Sequence, residues 1–258
     1  AEDPIGQAVD SVVPGFTSRT DRGQLVSASA PDGSGTDAVY NPQPTDVTDQ
    51  HGTHRGRLIV FRDVTAQQRR LDRIEALQAA TESLIDARID DQIAEIAVSF
   101  VDRILDQEVA VVFLAGEDDD VLRPAAVSDA IEATSDGPSS PLTPNDGVLW
   151  TRYRQSAGDG VVTDGWRWEP LSAVDVDELL VLSLGDHGLL CIGSPATGYT
   201  TGDRQFARIL ADGAATALDR VAHERDLREN RRIVRQHTEQ LEFLNGVLRH
   251  NIRNGMQV

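Results

Sequence analysis

The stretch Leu179-Leu-Val-Leu-Ser-Leu-Gly-Asp-His-Gly-Leu-Leu-Cys-Ile-Gly193 contains two apolar runs on either side of a polar turn. Residues 179–184 and 188–193 are rich in leucine, valine and isoleucine, and Gly185-Asp186-His187 between them is typical of a hairpin turn. Because both runs are short and almost fully apolar, they predict neighbouring strands buried in an antiparallel sheet.

The sequence on either side supplies further strands and the helices that cover them. Val109 to Ala115 is a continuous β-branched run that predicts a buried strand, with Val121 to Val127 as its return. Residues 91–106 have the apolar spacing of an amphipathic helix. Thr200 followed by Asp203 is a capping pattern that begins a last helix, which no proline interrupts to the end of the sequence. The predicted fold class is therefore α+β.

The charge of the chain excludes several kinds of partner. Acidic residues outnumber basic ones 42 to 24, every basic residue is arginine, and the net charge is −18. Such a charge repels phosphate backbones and anionic lipids, so we expect neither nucleic acid nor a direct membrane contact. An acidic surface without lysine suits molar salt, where screening lengths fall to ~3 Å. The composition resembles that of extreme halophiles, notably haloarchaea.

Compartment and metal content follow from a few residues. No apolar run approaches the ~20 residues needed to cross a bilayer, so we expect a cytoplasmic chain, with an upstream anchor in a longer parent left open. The single Cys191 excludes an intrachain disulfide and, inside a predicted strand, is expected to be a buried thiol. Neither the loop pair His51 and His54 nor the run Asp118 to Asp120 has the ligands of a metal site, so none is predicted.

The first quarter of the chain predicts a strand that leads directly into a helix. Gly56 to Thr65 has the β-branched and aromatic density of a strand, and Thr65 with Gln68 is a second capping pattern. Before it, a short helix near Ile5 to Val13 and a strand at Ala38 to Tyr40 are expected. The helix that follows, residues 66–90, is interpreted as a connector that pairs with a copy of itself. Its apolar residues recur at roughly heptad spacing.

Residues 1–65 resemble the C-terminal part of a PAS domain, on the segment that ends in Asp63-Val64-Thr65. The resemblance implies that Asp63 and Thr65 tie the last strand to the exit helix and pass on changes in the sheet. The first strands of a PAS domain are missing from the sequence, so a PAS ligand pocket would be incomplete.

Residues 91–222 resemble a GAF domain, whose first helix begins at 91 or near 75. The resemblance rests on the hairpin quoted above and on Thr200-Thr-Gly-Asp203 at the start of the last helix. It implies either a pocket for an unidentified small ligand or a dimerising spacer. Trp150, Trp166 and Trp168 are candidates for lining such a pocket, although packing in an ordinary core explains large aromatics equally well.

The last segment carries the most specific chemistry. Leucine and valine recur every seven residues at Leu227, Val234, Leu241 and Leu248, which predicts a helix face built for a partner helix. At about 100° per residue, His250 lies about 200° from Leu248 and is expected to project outward. An exposed imidazole, with a pKa near ~6.5, keeps a nucleophilic nitrogen available at neutral pH.

The string Leu248-Arg-His-Asn-Ile-Arg-Asn-Gly-Met256 resembles the histidine box of sensor histidine kinases, in the form seen in haloarchaea. The resemblance implies that His250 accepts the phosphoryl group, with Asn251, Arg253 and Asn254 in support. It makes residues 223–258 a coiled-coil output helix. Asn251 departs from the acidic residue common at that position, and Gly255 from a common proline.

The whole chain is thus interpreted as PAS-like and GAF-like antiparallel-sheet sensory modules joined by long signalling helices. The kinase resemblance implies a homodimer, a response-regulator aspartate as phosphoryl acceptor, and ATP with Mg²⁺ in the kinase catalytic domain of a longer parent. No cofactor is expected in this segment itself. Two alternatives stay open: a sensory transcription regulator resembling the bacterio-opsin activator family, and a non-catalytic dimerising scaffold.

Overall fold

The computed structural model describes most of the chain, in two compact units, Ala1–Ile74 and Glu75–Val258. The described residues are 25–29, 37–116, 121–133, 141–145, 147–154, 160–162, 176–194 and 198–255, with only the backbone for 28, 29, 37, 161, 162 and 242–255. The helix expected near Ile5 to Val13 lies outside them. Within these ranges, no helix is both long and apolar enough to cross a bilayer.

The first unit contains a three-stranded antiparallel sheet in the order β1-β2-β3. Its strands are β1 (Val26–Ser29), β2 (Asp37–Thr48) and β3 (His54–Asp63), and helix α1 (Thr65–Asp86) follows at once. β2 and β3 pair from Tyr40 opposite Asp63 to Val47 opposite Gly56. The predicted step from strand to helix is therefore present at Asp63 to Thr65.

Strand β2 is longer than the sequence predicted. The strand expected at Ala38 to Tyr40 continues to Thr48, through Pro42 and Pro44. Val39 directs both its N–H and its C=O toward the β3 side of the strand. The backbone groups of the even-numbered residues of β2 therefore point toward the opposite edge, the side of β1. On that edge the described residues of β1 pair with β2 only as far as Tyr40. The missing N–H groups of Pro42 and Pro44 therefore leave no strand of the described chain without a hydrogen bond. Proline is tolerated at such an edge.

The second unit contains a five-stranded antiparallel sheet in the order β5-β4-β8-β7-β6. Its strands are β4 (Val109–Ala115), β5 (Leu122–Val127), β6 (Gly160–Val162), β7 (Glu178–Ser183) and β8 (Gly188–Ser194). Its further helices are α2 (Asp90–Leu105), α3 (Asp129–Glu132), α4 (Gly147–Arg154) and α5 (Thr201–Gly255). The predicted hairpin is formed by β7 and β8, which a short 3-10 turn joins.

Both faces of this sheet are buried, which explains the unbroken apolar strands. Along β4, Ala110, Val112 and Leu114 pack into the cluster formed with α1, α2 and α5. Val111 and Phe113 point to the other face, where they pack with residues of α3, α4 and the hairpin strands. A strand with two covered faces has no reason to alternate polar and apolar residues.

Gly188 permits the close approach of β8 to β4. Its φ is +154°, and a Cβ at this position would collide with the carbonyl oxygen of Phe113. Only glycine satisfies both constraints, so the hairpin turn requires it.

The two predicted capping patterns had different outcomes. At the start of α5, Thr200 Oγ1 accepts the Asp203 N–H at 3.1 Å, and Asp203 Oδ2 accepts the Thr200 N–H at 3.0 Å, which confirms a capping box.

At the start of α1 the predicted capping box was wrong. Thr65 Oγ1 donates to Asp63 and accepts from Val39, and the Gln68 amide donates to Asp72. Asp63, and not Thr65, accepts the first N–H of the helix, that of Thr65, at 2.9 Å.

Candidate functional site

Helix α5 begins as part of the core of the second unit. Its buried residues are small or aliphatic and recur every three or four positions; they are Ala207, Leu210, Ala211, Ala214, Ala217, Leu218 and Val221. Alanine at this many contact positions lets the helix lie close to the sheet and to α2. The helix has 55 residues, or about 80 Å at about 1.5 Å per residue, so it extends well past these core contacts.

The second part of α5 exposes aliphatic side chains. Leu227, Val234 and Leu241 are 42%, 65% and 62% exposed and form what we call the seam. Leu227 comes nine residues after buried Leu218, which is a rotation of about 180° at about 100° per residue. The seam therefore faces away from the side of α5 that packs into its own unit.

The four candidate phosphotransfer residues lie near the end of this helix. His250, Asn251, Arg253 and Asn254 all have helical backbone within Thr201–Gly255. Their side chains are outside the described set, so the outward position of His250 and the supporting roles of its neighbours stay predictions.

The strand–helix joint of the first unit is a three-residue hydrogen-bond network. One oxygen of the Asp63 carboxylate accepts the Thr65 N–H at 2.9 Å and the Thr65 hydroxyl at 2.6 Å. Thr65 Oγ1 in turn accepts the Val39 N–H of β2 at 2.8 Å. Because the Thr65 hydroxyl and amide stabilise the carboxylate, the pKa of Asp63 is lowered. Asp63 and Thr65 thus join β2, the end of β3 and the start of α1.

Two arginines of α5 form a contact that the sequence did not predict, which we call the junction clamp. Arg220 Nη2 donates to the carbonyl oxygens of Leu84 at 3.2 Å and of Ala87 at 2.8 Å. Arg225 pairs with Asp90 at 3.0 Å. Leu84 lies in the last turn of α1, where carbonyl groups have no partner within the helix, Ala87 directly follows that helix, and Asp90 begins α2. The clamp therefore fixes the turn between α1 and α2 to the long helix.

The aromatic candidates for a ligand pocket are only partly described. Trp150 is 9% exposed in the second core cluster, and its ring centroid lies 5.7 Å from that of Tyr153. This is a packed position. Trp166 and Trp168 lie outside the described residues. Cys191 is buried in β8, and burial raises the pKa of its thiol to about 12, so it stays protonated and unreactive.

No metal site emerges from the parts of the chain that are described. His51 and His54 are both exposed at the turn between β2 and β3. Within the described ranges, no group of three or more His, Cys, Asp or Glu side chains could hold a metal ion. The run Asp118 to Asp120 lies outside them.

An open groove of about 770 Å³ runs between α2, the edge strand β5 and α3. Its rim carries five carboxylates, those of Glu95, Asp102, Glu108, Asp129 and Glu132. The sequence did not predict it, because these acids come from two helices, α2 and α3, and from the loop before β4. The groove is therefore an acidic concavity on the surface, next to the edge strand of the sheet.

Comparison with known proteins shows likeness of fold. No protein-family model matches the sequence, and no curated protein matches it. Among solved structures, the GAF domain of a phosphoenolpyruvate-protein phosphotransferase from Coxiella burnetii matches with a TM-score of 0.51 and 14% identity, over 60% of this chain and 96% of that one.

Two other solved GAF domains match with lower scores. The second GAF domain of DevS from Mycobacterium smegmatis has a TM-score of 0.45 and 17% identity, over 54% of this chain and 99% of its own. A GAF domain from Pseudomonas syringae pv. tomato, in a protein assigned as a sensor histidine kinase, has a TM-score of 0.43 and 13% identity, over 64% and 97%.

The likeness must include the second unit. The Coxiella domain covers 60% of 258 residues, about 155, which is more than the 74 residues of Ala1–Ile74. The second unit also contains the five-stranded antiparallel sheet with helices on its faces. At this level of identity the comparison concerns architecture alone: the second unit is a mixed helix and antiparallel-sheet domain with the GAF fold.

Proposed function

We propose that this chain is the sensory and phosphoacceptor segment of a two-component histidine kinase, and that it works as a homodimer. His250 accepts the phosphoryl group from ATP and passes it to an aspartate of a response regulator. ATP and Mg²⁺ belong to the kinase catalytic domain of the parent protein, which is the partner that meets His250. The input is an unidentified small ligand, sensed by the GAF fold or by the PAS-like first unit.

One observation carries this proposal: a single helix leaves the core of a GAF fold and continues to the histidine box. α5 packs into the second unit up to Val221 and is still helical at His250. A continuous helix transmits rotation or translation along its axis, whereas a flexible linker does not. The exposed seam on its outer face supports pairing with a second copy, since isolated exposed aliphatic rows are unfavourable in water.

The strand–helix joint supports a route for the signal from the first unit. Asp63 and Thr65 connect β2 to the first turn of α1, so a shift of β2 would act on that helix. The other end of α1 is bonded to α5 through Arg220. Under this proposal, a change in the sheet reaches the output helix through hydrogen bonds at both ends of α1.

The neighbours of His250 have distinct proposed roles. The guanidinium of Arg253 attracts the phosphoryl group, and the amide of Asn254, one turn after His250, orients phosphate or water. Asn251 stands where an acidic general base would lie, so proton removal falls to another group of the parent protein. Because Asn254 is proposed to orient phosphate or water, Asn254→Ala should change the lifetime of the phosphohistidine more than the rate of its formation.

Phosphorylation in trans tests the proposal. The chain is mixed with a histidine kinase catalytic domain, Mg²⁺ and radiolabelled ATP in high salt, and acid-labile label is measured. His250→Gln should abolish the label, and His223→Gln, an exposed histidine on the same helix, should retain it. Label that is independent of His250 would contradict the phosphoacceptor role.

A non-catalytic scaffold is the second candidate, and the exposed seam favours it equally. In that case the homodimer and the signal route are retained, but His250 is inert. The labelling experiment separates the two, because a scaffold gives the same background with wild type and with His250→Gln.

A further inference from the structure

We call α5 after Val221 its outer part; the charged side chains described there, between Glu224 and Glu239, are almost all paired within one chain. Arg228 bonds Glu224 at 2.7 Å, Arg232 bonds Glu229 at 2.9 Å, and Arg235 bonds Glu239 at 3.1 Å. Each of these pairs joins residues three or four positions apart, as is usual on a helix surface. Arg225 pairs with Asp90 and, with Arg220, forms the junction clamp.

Asp226 and Arg231 are the exceptions. Both are exposed in the outer part of α5, and neither makes an ion pair or hydrogen bond with any described residue. They carry opposite charges and are five positions apart, which is too far along one helix for direct contact. Among the described side chains of residues 224–239, one acid and one base are thus left open to a partner outside the chain.

The seam gives these two residues a specific geometry. We take Leu227, Val234 and Leu241 as the first apolar row of a heptad. Asp226 is then one residue before Leu227, and Arg231 is four residues after it. In two parallel, in-register helices, residues at these flanking positions meet across the interface with a separation of five. Asp226 of one copy then lies beside Arg231 of the other, and the two-fold axis produces the pair twice.

We propose that α5 recognises a second copy of this chain in parallel register, with Asp226 and Arg231 as the residues that determine the choice of partner. The proposal rests on the homodimer of the proposed function and names its register and its specificity. The seam supplies the apolar contact. The two crossed ion pairs reject a helix with another charge pattern or an antiparallel orientation, which brings like positions together instead.

The second row of the seam agrees with this arrangement. Asn230 and His237 follow Leu227 and Val234 by three residues, at the other inward position of the heptad. A polar residue at such a position reduces affinity but favours one register, because it bonds its own copy across the interface. In a seam weakened in this way, the flanking charges account for a larger share of the affinity between the two helices.

A charge-swap experiment tests the inference. Asp226→Arg makes a chain with two flanking arginines, and Arg231→Asp makes a chain with two flanking aspartates. We expect self-association of each variant alone to weaken about tenfold or more, since attraction becomes repulsion at two pairs. An equimolar mixture should form a heterodimer with an affinity within about threefold of wild type. Sedimentation at the lowest salt that keeps the chain folded measures both, because molar salt screens the effect.

The control variant is Arg235→Asp, which changes the same charge on the outward side of the helix. It loses the intrahelical pair with Glu239 but faces no partner, so it should neither weaken self-association comparably nor select a partner. Equal affinities for all variants, or a mixture without preferential heterodimer, would overturn the inference. So would a wild-type chain that stays monomeric.

Cysteine crosslinking tests the orientation separately. In a Cys191→Ser background, Val234→Cys should form an intersubunit disulfide on mild oxidation, because identical seam positions face each other in a parallel dimer. Gln236→Cys, on the outer side, should not. The reverse pattern contradicts parallel register. Phosphorylation of His250 does not enter either readout, so loss of labelling with intact charge-dependent pairing removes the kinase role alone.

Discussion

The two parts of helix α5 have the same backbone conformation and opposite environments. Up to Val221 the helix presents alanine and leucine to the core of its own unit. After Val221 it presents leucine and valine to solvent, between rows of arginine and glutamate. The inner part is therefore stabilised by tertiary contacts within one chain, and the outer part by helix propensity, local ion pairs and, under our proposal, a second copy.

This difference shows how one element serves two purposes. Small residues in the inner part let the helix pack close to the sheet. Long charged residues in the outer part keep it helical in solution without fixing it to its own unit. The proposed signalling role needs both properties, and each is encoded by residue size and charge rather than by a change of backbone.

The largest expected effect comes from removing equivalent leucines in the two parts. Leu210 is 1% exposed, so Leu210→Ala should lower the free energy of unfolding by about 2–5 kcal/mol, through lost burial and a cavity. Leu241 is 62% exposed, and Leu241→Ala should change that free energy by less than about 0.5 kcal/mol in the monomer. Urea denaturation at low protein concentration measures both.

The same two variants also differ in self-association. Leu241→Ala should raise the dissociation constant of the dimer, while Leu210→Ala should leave it unchanged at temperatures where the unit is folded. A similar loss of unfolding free energy in both variants at low concentration would mean that the outer part packs on its own unit.

The next effect concerns arginines. Arg220→Met keeps the aliphatic stem but removes two charged hydrogen bonds to Leu84 and Ala87 and a 3.4 Å ion pair with Glu224, which should together cost about 1.5–3 kcal/mol of unfolding free energy. Arg228→Met removes one exposed ion pair with Glu224 and should cost about 0.5 kcal/mol or less. Thermal unfolding of the two variants compares them. Equal losses would indicate that Arg220 acts only through its charge on the helix surface.

Much of the fold of the second unit could be predicted from sequence, because its strands are unbroken apolar runs. Val109 to Ala115 was predicted with the bounds it has, and the hairpin strands within one residue. The first unit was harder. β2 contains Pro42 and Pro44, which argue against a strand unless the free edge is known, and that edge depends on the length of β1.

The candidate site was predictable only where it follows from a repeat along one helix. The seam follows from the heptad spacing of Leu227, Val234 and Leu241, and all three are exposed as an unpaired seam requires. The junction clamp could not be predicted, because Arg220 and Ala87 are 133 positions apart and an arginine in a helix is usually solvated. The unpaired state of Asp226 and Arg231 likewise emerges only when the other charged side chains described between Glu224 and Glu239 have been assigned partners.

A smaller effect is expected at the start of the inner part. Thr200→Ala removes the oxygen that accepts the Asp203 N–H and should cost about 1 kcal/mol of unfolding free energy. Thr200→Ser keeps that oxygen and should restore most of the loss. Thr201→Ala, one residue later at an exposed position, is the matched control and should be nearly neutral. Chemical denaturation measures all three, and a control as destabilised as Thr200→Ala would contradict the capping role.

The smallest effect is a pH dependence of the outer part. Arg232 donates two hydrogen bonds of 2.9 Å to the Glu229 carboxylate, and these lower the pKa of Glu229 below its ordinary value of 4.5. The folded helix thus binds the proton less readily than the unfolded chain. The stabilisation is complete above pH 4.5 and is lost as the pH falls through the lowered value. The protection factors of amides around residue 229, corrected for the intrinsic pH dependence of exchange, should therefore fall on acidification at constant salt, while amides near Leu210 keep theirs. Glu229→Gln carries no titrating group and should remove this local dependence, and an unchanged pH profile in that variant would assign the effect to another carboxylate of α5.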